Sequence, residues 1–402
     1  MGRYILLVIL ILLIAAAIWL YPAYRAIQRF AGLPIPPSQP FNILVAGTTP
    51  VYSGYHTRAQ EAFPTGPTDT LFLVHVDPKA NLLTIFSIPR DTMIELPGYG
   101  IQKINAAYPL LGPQGMVQTV EHFLGIPIQG YLLVDLSALR GFVNALGGIR
   151  VYVPEPMDYT DQAGDLHIHF NPGWHTLNGR EAEEYIRFRH DLLGDIGRVM
   201  RTQGFLDAVL AKLRSPSTWP RFPEIAQILE EHTQTDLPRS TFGQLAGFLL
   251  FRHPMRASLL EPGYYCSQAG VSYWCPHPQQ IANLVQSYLV HSPNMAPLPL
   301  SALSDRVIDV VNDTSTHGLA QAVGKRLSTL GLQAVYVLSD NSADPAVTNP
   351  EVTTIVANGD YGAALTIQKA LGFGKAEISG TGVLGSTVTI HVGQDALKYL
   401  HP

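Results

Sequence analysis

The chain has 402 residues, with 26 Lys and Arg against 31 Asp and Glu, for a formal net charge of −5. Only 14% of it is charged, against about a quarter in ordinary soluble domains, which excludes a disordered chain and a protein that coats nucleic acid. Its 35 glycines and 31 prolines predict many turns, and its two cysteines exclude a disulfide framework or a self-sufficient four-cysteine zinc site.

Residues 4 to 24, YILLVILILLIAAAIWLYPAY, carry no charge. As a helix they would span roughly 31 Å, the thickness of a bilayer's hydrocarbon core. Tyr4, Trp19, Tyr21 and Tyr24 lie near the ends of the run, with Arg3 before it and Arg25 and Arg29 after it. The segment reads as a transmembrane anchor over 1–24, with a cleaved signal peptide at Ala15 to Ala17 as the rival reading. Either way, the body is expected to be exported, and the anchor reading places a single-pass protein in the cell membrane with that body extracytoplasmic. A linker over 25–40 follows, in which AGLPIPPSQP forms a stiff spacer.

From Phe41 the pattern is that of an α/β body. FNILVAG, LFLVHV and LLTIFSI read as buried strands, the last two joined by a turn at Asp77 to Asn81 into a hairpin. Helix MVQTVEHFL, strand YLLVDL, helix LRGFVNALGG with its terminal glycines, and strand IRVYV follow. Asn178 and Glu181 have the spacing of a capping box opening another helix, and a long helix is expected around Met200 to Leu213. Residues 216 to 290 read as a helical extension plus a small hairpin holding Cys266 and Cys275, either bridged or as two buried thiols. A second linker at 291–306 leads to a small α/β domain over 307–400: strand VIDVV, helix GLAQAVGKRLSTLG, strands AVYVL and TTIVAN, helix GAALTIQKALG and strand TVTIHV. The fold class expected is an α-β-α sandwich-like body with a central mixed sheet and a small α/β domain after it.

Arginine is the informative residue type. Arg180, Arg187, Arg189, Arg198 and Arg201 share the segment 180–201 with Glu181, Glu183, Glu184, Asp191 and Asp195, a pattern that also suits an ion-paired helix surface. Arg187 and Arg189, two apart, share a face only on extended chain. At a helix end both guanidiniums converge, and planar guanidiniums bind phosphate oxygens bidentately. Arg90 and Asp91 in SIPRDT follow an apolar strand, where α/β sheets place ligands. Asp69 in GPTDT precedes the next strand and is either a turn cap or a carboxylate for a hard cation such as Mg²⁺.

NILVAG, TDT, HVDPKANLLTIFSIPRDT, KINAAY, the segment from Asp135 to Gly147-Gly148, LNGREAEEYIRFRH and DIGRVMRTQ occur in that order. Together they resemble the LytR-CpsA-Psr family of envelope glycopolymer transferases over about 41–290. Residues 307–400 resemble the carboxy-terminal domain often appended to that family. The resemblance implies a membrane-anchored phosphotransferase. It would bind a polyprenyl diphosphate-linked glycopolymer, with its lipid in an apolar tunnel and its diphosphate held by arginines and Mg²⁺. It would then move the glycopolymer onto peptidoglycan and release polyprenyl phosphate. Carried over residue by residue, the resemblance assigns diphosphate binding to Arg90, Arg187, Arg189 and Arg198 and a metal-binding role to Asp69. It places Lys103 and Asp195 in the same site. A base for the acceptor hydroxyl would be Asp91 or Asp195. Two positions depart from the family pattern: Thr49 stands where Asp is usual, which removes a carboxylate from the metal site, and Pro67 where Arg is usual, which removes a phosphate contact. These departures motivate one alternative, a non-catalytic polyprenyl-diphosphate or wall-binding scaffold; another is a hydrolase of the diphosphate, with water in place of the sugar hydroxyl. Membrane, peptidoglycan and an envelope protein for the last domain are the partners expected, and nucleic acid is not.

Other motifs carry little. Gly380 to Gly385 spells a dinucleotide fingerprint but precedes a strand, and Gly318 to Lys325 is a P-loop with one residue too many, followed by Arg326. His167 and His169 share a strand face without a third ligand, which is the pattern of surface histidines.

Overall fold

A computed structural model describes residues 21, 25, 35–48, 66–135, 138–153, 156–161, 166–188, 195–252, 254–291, 296–314, 316–339, 351–379, 382–383 and 386–397. Apart from Tyr21, the segment read as an anchor lies outside the described residues, as does Thr49. Among the described residues no helix is long and apolar enough to cross a membrane.

Strands β1 (Phe41–Thr48), β2 (Thr68–Asp77) and β3 (Leu82–Ser87) are antiparallel neighbours. The β2–β3 turn is fixed by Asp77, whose Oδ1 accepts from the amides of Lys79 at 2.8 Å and Ala80 at 3.0 Å. A small hairpin, β4 (Met93–Leu96) and β5 (Gly100–Lys103), leads into α1 (Ala107–Leu124), which is kinked at Gly112 before Pro113 and closed by left-handed Gly125. Strand β6 (Tyr131–Asp135) returns parallel to β1. Helix α2 (Ala138–Leu146) ends on Gly147 and Gly148, both at positive φ, as the sequence predicts.

A satellite layer follows: β7 (Ile149–Val153), β8 (Met157–Asp161), β9 (Leu166–Phe170) and β10 (Gly173–Leu177) form two separate hairpin-like pairs. Strand β7 thus stands outside the central sheet. Helix α3 (Gly179–Arg187) opens with the expected capping box. The Asn178 side chain accepts from the amides of Arg180 and Glu181, and Glu181 accepts in return from the Asn178 amide at 2.8 Å. Helices α4 (Asp195–Arg214) and α5 (Phe222–His232), strand β11 (Thr233–Thr235) and helix α6 (Arg239–Gly247) complete this side.

One expectation needs correction. The segment 216–290 is more than helices and a hairpin, because β12 (Met255–Leu260) inserts beside β3 in parallel register and extends the central sheet. Its sequence, MRASLL, has no β-branched or aromatic residue, so composition alone conceals it. The cysteine hairpin, β13 (Gly263–Gln268) and β14 (Val271–Pro276), is closed by a Cys266–Cys275 disulfide with a Cα–Cα separation of 5.9 Å. A bridge across so short a loop stabilises by about 2 to 3 kcal/mol and persists in oxidising compartments.

After α7 (Pro278–Val285) come β15 (Ile308–Asn312), α8 (Leu319–Thr329), β16 (Val335–Ser339), β17 (Thr354–Ala357), α9 (Tyr361–Leu371), β18 (Lys375–Ile378) and β19 (Val388–Val392). Strand β18 is an addition to the elements expected from the sequence. It meets β12 through Ala257 and Ile378, so one eleven-stranded mixed sheet runs β11-β6-β1-β2-β3-β12-β18-β17-β19-β15-β16.

The core is shared in the same way. Leu44, Leu73, Phe86 and Met116 belong to one apolar cluster with Ala257, Tyr288, Ile355, Ile367 and Ile390, and Leu298, Leu300 and Leu303 pack on or within it. Tyr288 is 1% exposed, and burial together with the nearby Asp360 and Tyr361 raises its hydroxyl pKa above the ordinary tyrosine value. The chain is therefore expected to melt in one transition, and Tyr288→Ala to cost about 3 kcal/mol through the cavity it leaves. Calorimetry showing two separated transitions, with the substitution moving only one, would contradict a shared core.

Candidate active site at the carboxyl edge of the sheet

Strand direction brings distant residues to one edge. β1, β3, β6 and β12 run parallel to one another and β2 runs against them. Their ends place Thr48, Asp69, the turn after Ser87, Asp135 and Glu261 along the same border. Open α/β sheets bind ligands at such carboxyl edges.

Arg90 is central to this border. Its Nη1 lies 2.6 Å from Asp69 Oδ1 and its Nε 3.8 Å from Asp91 Oδ1, while Lys103 Nζ sits 3.0 Å from Asp91 Oδ1 and 6.0 Å from the Tyr273 ring centre. The four side chains are between 21% and 31% exposed, so the charges are partly desolvated yet reachable. Two cations and two carboxylates in alternation form a pre-oriented cluster whose cations can turn to a stronger anion. The structure thus brings together Arg90, Asp69, Asp91 and Lys103, which the sequence places on three separate elements.

The turn carrying Arg90 is pinned from several sides. The Ile104 amide donates to the Thr92 carbonyl at 2.8 Å, the Asn105 amide to the Arg90 carbonyl at 3.2 Å, and the Trp274 amide to the Asp91 carbonyl at 2.9 Å. The cysteine hairpin therefore buttresses the turn, with Gly263 packed so closely under Trp274 that a Cβ would come within 2.4 Å of the indole nitrogen.

The second arginine group behaves partly as the ion-paired surface that the sequence also allows. Arg180 pairs with Glu184 at 2.9 Å and Arg187 with Glu183 at 3.1 Å, both one helical turn apart, and Arg140 also bonds Glu183. Exposed pairs of this kind contribute at most about 1 kcal/mol each. Helix α3 nevertheless ends at Arg187, and Phe188 is extended at ψ 136°, as the Arg187/Arg189 spacing requires. Buried Arg201 donates to the Phe188 carbonyl and lies 5.3 Å over its ring, so it anchors the chain where α3 ends. Arg189 and the side chains of Asp195 and Arg198 fall outside the described residues.

For Mg²⁺, Asp69 is the carboxylate in place, and it is paired with Arg90. Among the described residues no group of three or more His, Cys, Asp or Glu converges as a metal site. Mg²⁺ commonly takes one or two carboxylates and completes its shell with substrate phosphates and water. Asp69 therefore fits as one ligand of a cation shared with a bound diphosphate, not as part of a cage made by the protein alone.

The sheet face turned away from the main core is apolar and half-buried. Val45 registers with Leu132 and Phe72, and Phe72 with Ser87, so these side chains form one row that ends at the Arg90 turn. Val45, Phe72, Val74 and Leu132 are half-buried, whereas Leu44, Leu73 and Leu133 on the opposite face are fully buried. Leu210, Phe242, Leu245 and Leu249 from the covering helices and turn are half-buried against this layer. An apolar wall beside a few convergent polar groups is the usual build of a small-molecule site.

Sequence reasoning missed Glu261. It is fully buried one residue past β12, with Oε2 accepting from Thr92 Oγ1 at 2.8 Å and Oε1 without a partner. Burial pushes its carboxyl up to about 8, partly offset by the Thr92 hydrogen bond. The same strand-end rule that singles out Arg90 applies to the acid ending SLLE, but β12 itself was concealed.

A mixed α/β sheet with an alternating cluster of two cations and two carboxylates at its carboxyl edge, and a half-buried apolar face on the same strands, is the class these observations define. The chain belongs to the LytR_cpsA_psr family, whose profile matches residues 28–284; a second profile, described as LytR cell envelope-related transcriptional attenuator, matches residues 305–395. The chain is 37% identical over 204 residues to Bacillus subtilis TagV, named a polyisoprenyl-teichoic acid–peptidoglycan teichoic acid transferase, covering 50% of each chain. It is 37% identical over 153 residues to Corynebacterium glutamicum LcpB, named a probable cell wall biosynthesis protein, covering 38% of this chain and 36% of that one. The matches thus span about half or less of these relatives' length. Among solved structures, B. subtilis TagV aligns with a TM-score of 0.50 at 31% identity over 64% of this chain and all of that one. The protein gbs0355 of Streptococcus agalactiae aligns with a TM-score of 0.54 at 26% identity over 67% and 92%.

The raised carboxyl of Glu261 gives a stability prediction. The folded state keeps this proton up to about pH 8, whereas an ordinary glutamate loses it near pH 4.5. Folding stability therefore falls as pH rises from about 4.5 to about 8 and then levels. Glu261→Gln, which cannot ionise, is expected to gain on wild type in melting temperature between pH 5 and pH 8. A constant difference across that range would contradict a buried, proton-holding carboxyl.

Proposed function

We propose that the protein is a membrane-anchored, extracytoplasmic phosphotransferase that moves a glycopolymer from a polyprenyl diphosphate carrier onto peptidoglycan. The observation that carries this reading is the Arg90–Asp69–Asp91–Lys103 cluster at the strand edge, with the half-buried row Leu132, Val45 and Phe72 on the neighbouring strands of the same sheet. A diphosphate at the cluster would leave an isoprenoid chain to lie along the apolar row. The names of TagV and its relatives support the choice of donor and acceptor class. The division of the chain that goes with this reading is anchor 1–24, linker 25–40, transferase body 41–290, linker 291–306 and carboxy-terminal domain 307–400, the last assisting contact with the wall or an envelope protein.

In this mechanism the acceptor hydroxyl oxygen attacks the phosphorus that bears the glycopolymer. The bond from that phosphorus to the bridging diphosphate oxygen breaks, and polyprenyl phosphate leaves with the bonding electron pair. Such transfer depends on positioning and on neutralising oxygens more than on covalent participation by the protein. Arg90 and Lys103 supply fixed positive charge, and Arg187, Arg189 and Arg198 are assigned to the remaining phosphate oxygens. The hydroxyl proton passes to a carboxylate, Asp91 or Asp195. Mg²⁺ bound through Asp69 and the diphosphate would add further charge neutralisation. Thr49 and Pro67 leave the arginines and Lys103 with a larger share of that work.

Turnover of a short-chain polyprenyl diphosphate-linked saccharide is expected to require a peptidoglycan acceptor and to fall at least 100-fold in Arg90→Ala, with a smaller loss on chelating Mg²⁺. This follows from the 10²- to 10³-fold typical of removing one transition-state charge donor. Binding without turnover would instead favour a scaffold, and turnover indifferent to acceptor would favour hydrolysis.

A further inference from the structure

The side chain that ties the Arg90 turn into the sheet belongs to Thr92. It is fully buried, and its hydroxyl donates to Glu261 Oε2 at 2.8 Å. Glu261 is in turn fixed to the neighbouring strand, because its amide donates to the Ser87 carbonyl at 2.9 Å. Ser87 is where β3 ends and the turn begins. Glu261 therefore spans the turn, with its amide on Ser87 at the end of β3 and its carboxyl on Thr92, the residue just after Asp91. The amides of Ile104, Asn105 and Trp274 hold the turn's backbone carbonyls, while Asp69 and Lys103 pair with the Arg90 and Asp91 side chains. The Thr92–Glu261 contact is the side-chain bond that ties the turn to the end of β12.

We propose that Glu261 is a positioning residue of the diphosphate site: by holding Thr92 it sets the direction in which Arg90 and Asp91 leave the sheet. The inference rests on reading the Arg90 cluster as a diphosphate site. A carboxyl in this place serves that role as a neutral group, since a buried neutral carboxyl bonds a hydroxyl without adding negative charge to the wall of an anion site. Its proton is held up to about pH 8. Above that, ionisation places an uncompensated anion behind the turn, which both disturbs the turn and repels the diphosphate. Among the described residues, the other charged or titratable groups around the turn are Arg90 and Asp91 on it, Asp69 on β2, Lys103 on β5, and Tyr273 and His277 beside the hairpin. Because the fold shields Glu261 completely, its titration reaches the ligand only through Thr92 and through the field it creates.

The test is binding of geranylgeranyl diphosphate to the full-length protein in detergent from pH 6.5 to pH 9, read as Kd. Wild type is expected to lose affinity about tenfold across the upper half of that range. Glu261→Gln is expected to flatten this alkaline limb, and Glu261→Ala and Thr92→Val to weaken binding about tenfold at pH 7, with Thr92→Ser restoring it. An unchanged alkaline limb in Glu261→Gln together with wild-type affinity in Thr92→Val would overturn the proposal, provided Arg90→Ala abolishes binding. Wild-type binding by Arg90→Ala would instead overturn the diphosphate reading itself, and the positioning role with it.

Discussion

The site depends on one ion pair. Asp69 and Arg90 come from the starts and ends of antiparallel neighbours, and their contact at 2.6 Å requires that β2 and β3 be in the observed register. A slip of one residue would send each side chain to the opposite face. The burial of β3 on both faces, with every residue from Leu82 to Ser87 inside, makes such a slip costly. The apolar core thereby fixes a polar contact that contributes little stability of its own at its partial exposure.

The same logic extends outward from that pair. Asp91 couples Arg90 to Lys103 on β5, and the Asp91 carbonyl couples the turn to Trp274 on the disulfide hairpin. Thr92 couples it to Glu261 on β12. Strands from widely separated parts of the sequence thus close around one turn. Because β12 also meets β18, the small carboxy-terminal α/β portion shares the sheet and the core that hold the site. It is built into the scaffold, not tethered to it.

Much of this was legible in the sequence, for identifiable reasons. The β2–β3 hairpin announces itself through Asp77 and the turn residues that follow, and the α3 capping box through Asn178 and Glu181. The strand-end position of Arg90 follows from an apolar run broken by proline. What was hidden depends on tertiary contact. MRASLL forms a central strand because β3 and β18 bury it, not through its own propensity, and Glu261 was overlooked with it. The cysteines could be paired only once the hairpin register set their Cα atoms 5.9 Å apart. Of the arginines in 180–201, Arg180 and Arg187 pair with acids one helical turn away, as their spacing allows, whereas Arg201 is buried against Phe188 by a tertiary contact that spacing does not reveal.

If the charge cluster and the apolar sheet face hold the two ends of one isoprenoid diphosphate ligand, that ligand should travel with the protein. Native mass spectrometry of the full-length protein extracted from membranes is expected to show a co-purifying isoprenoid phosphate or diphosphate on wild type, and at least tenfold lower occupancy on Arg90→Ala. Equal occupancy on both proteins, or no isoprenoid phosphate on either, would contradict it.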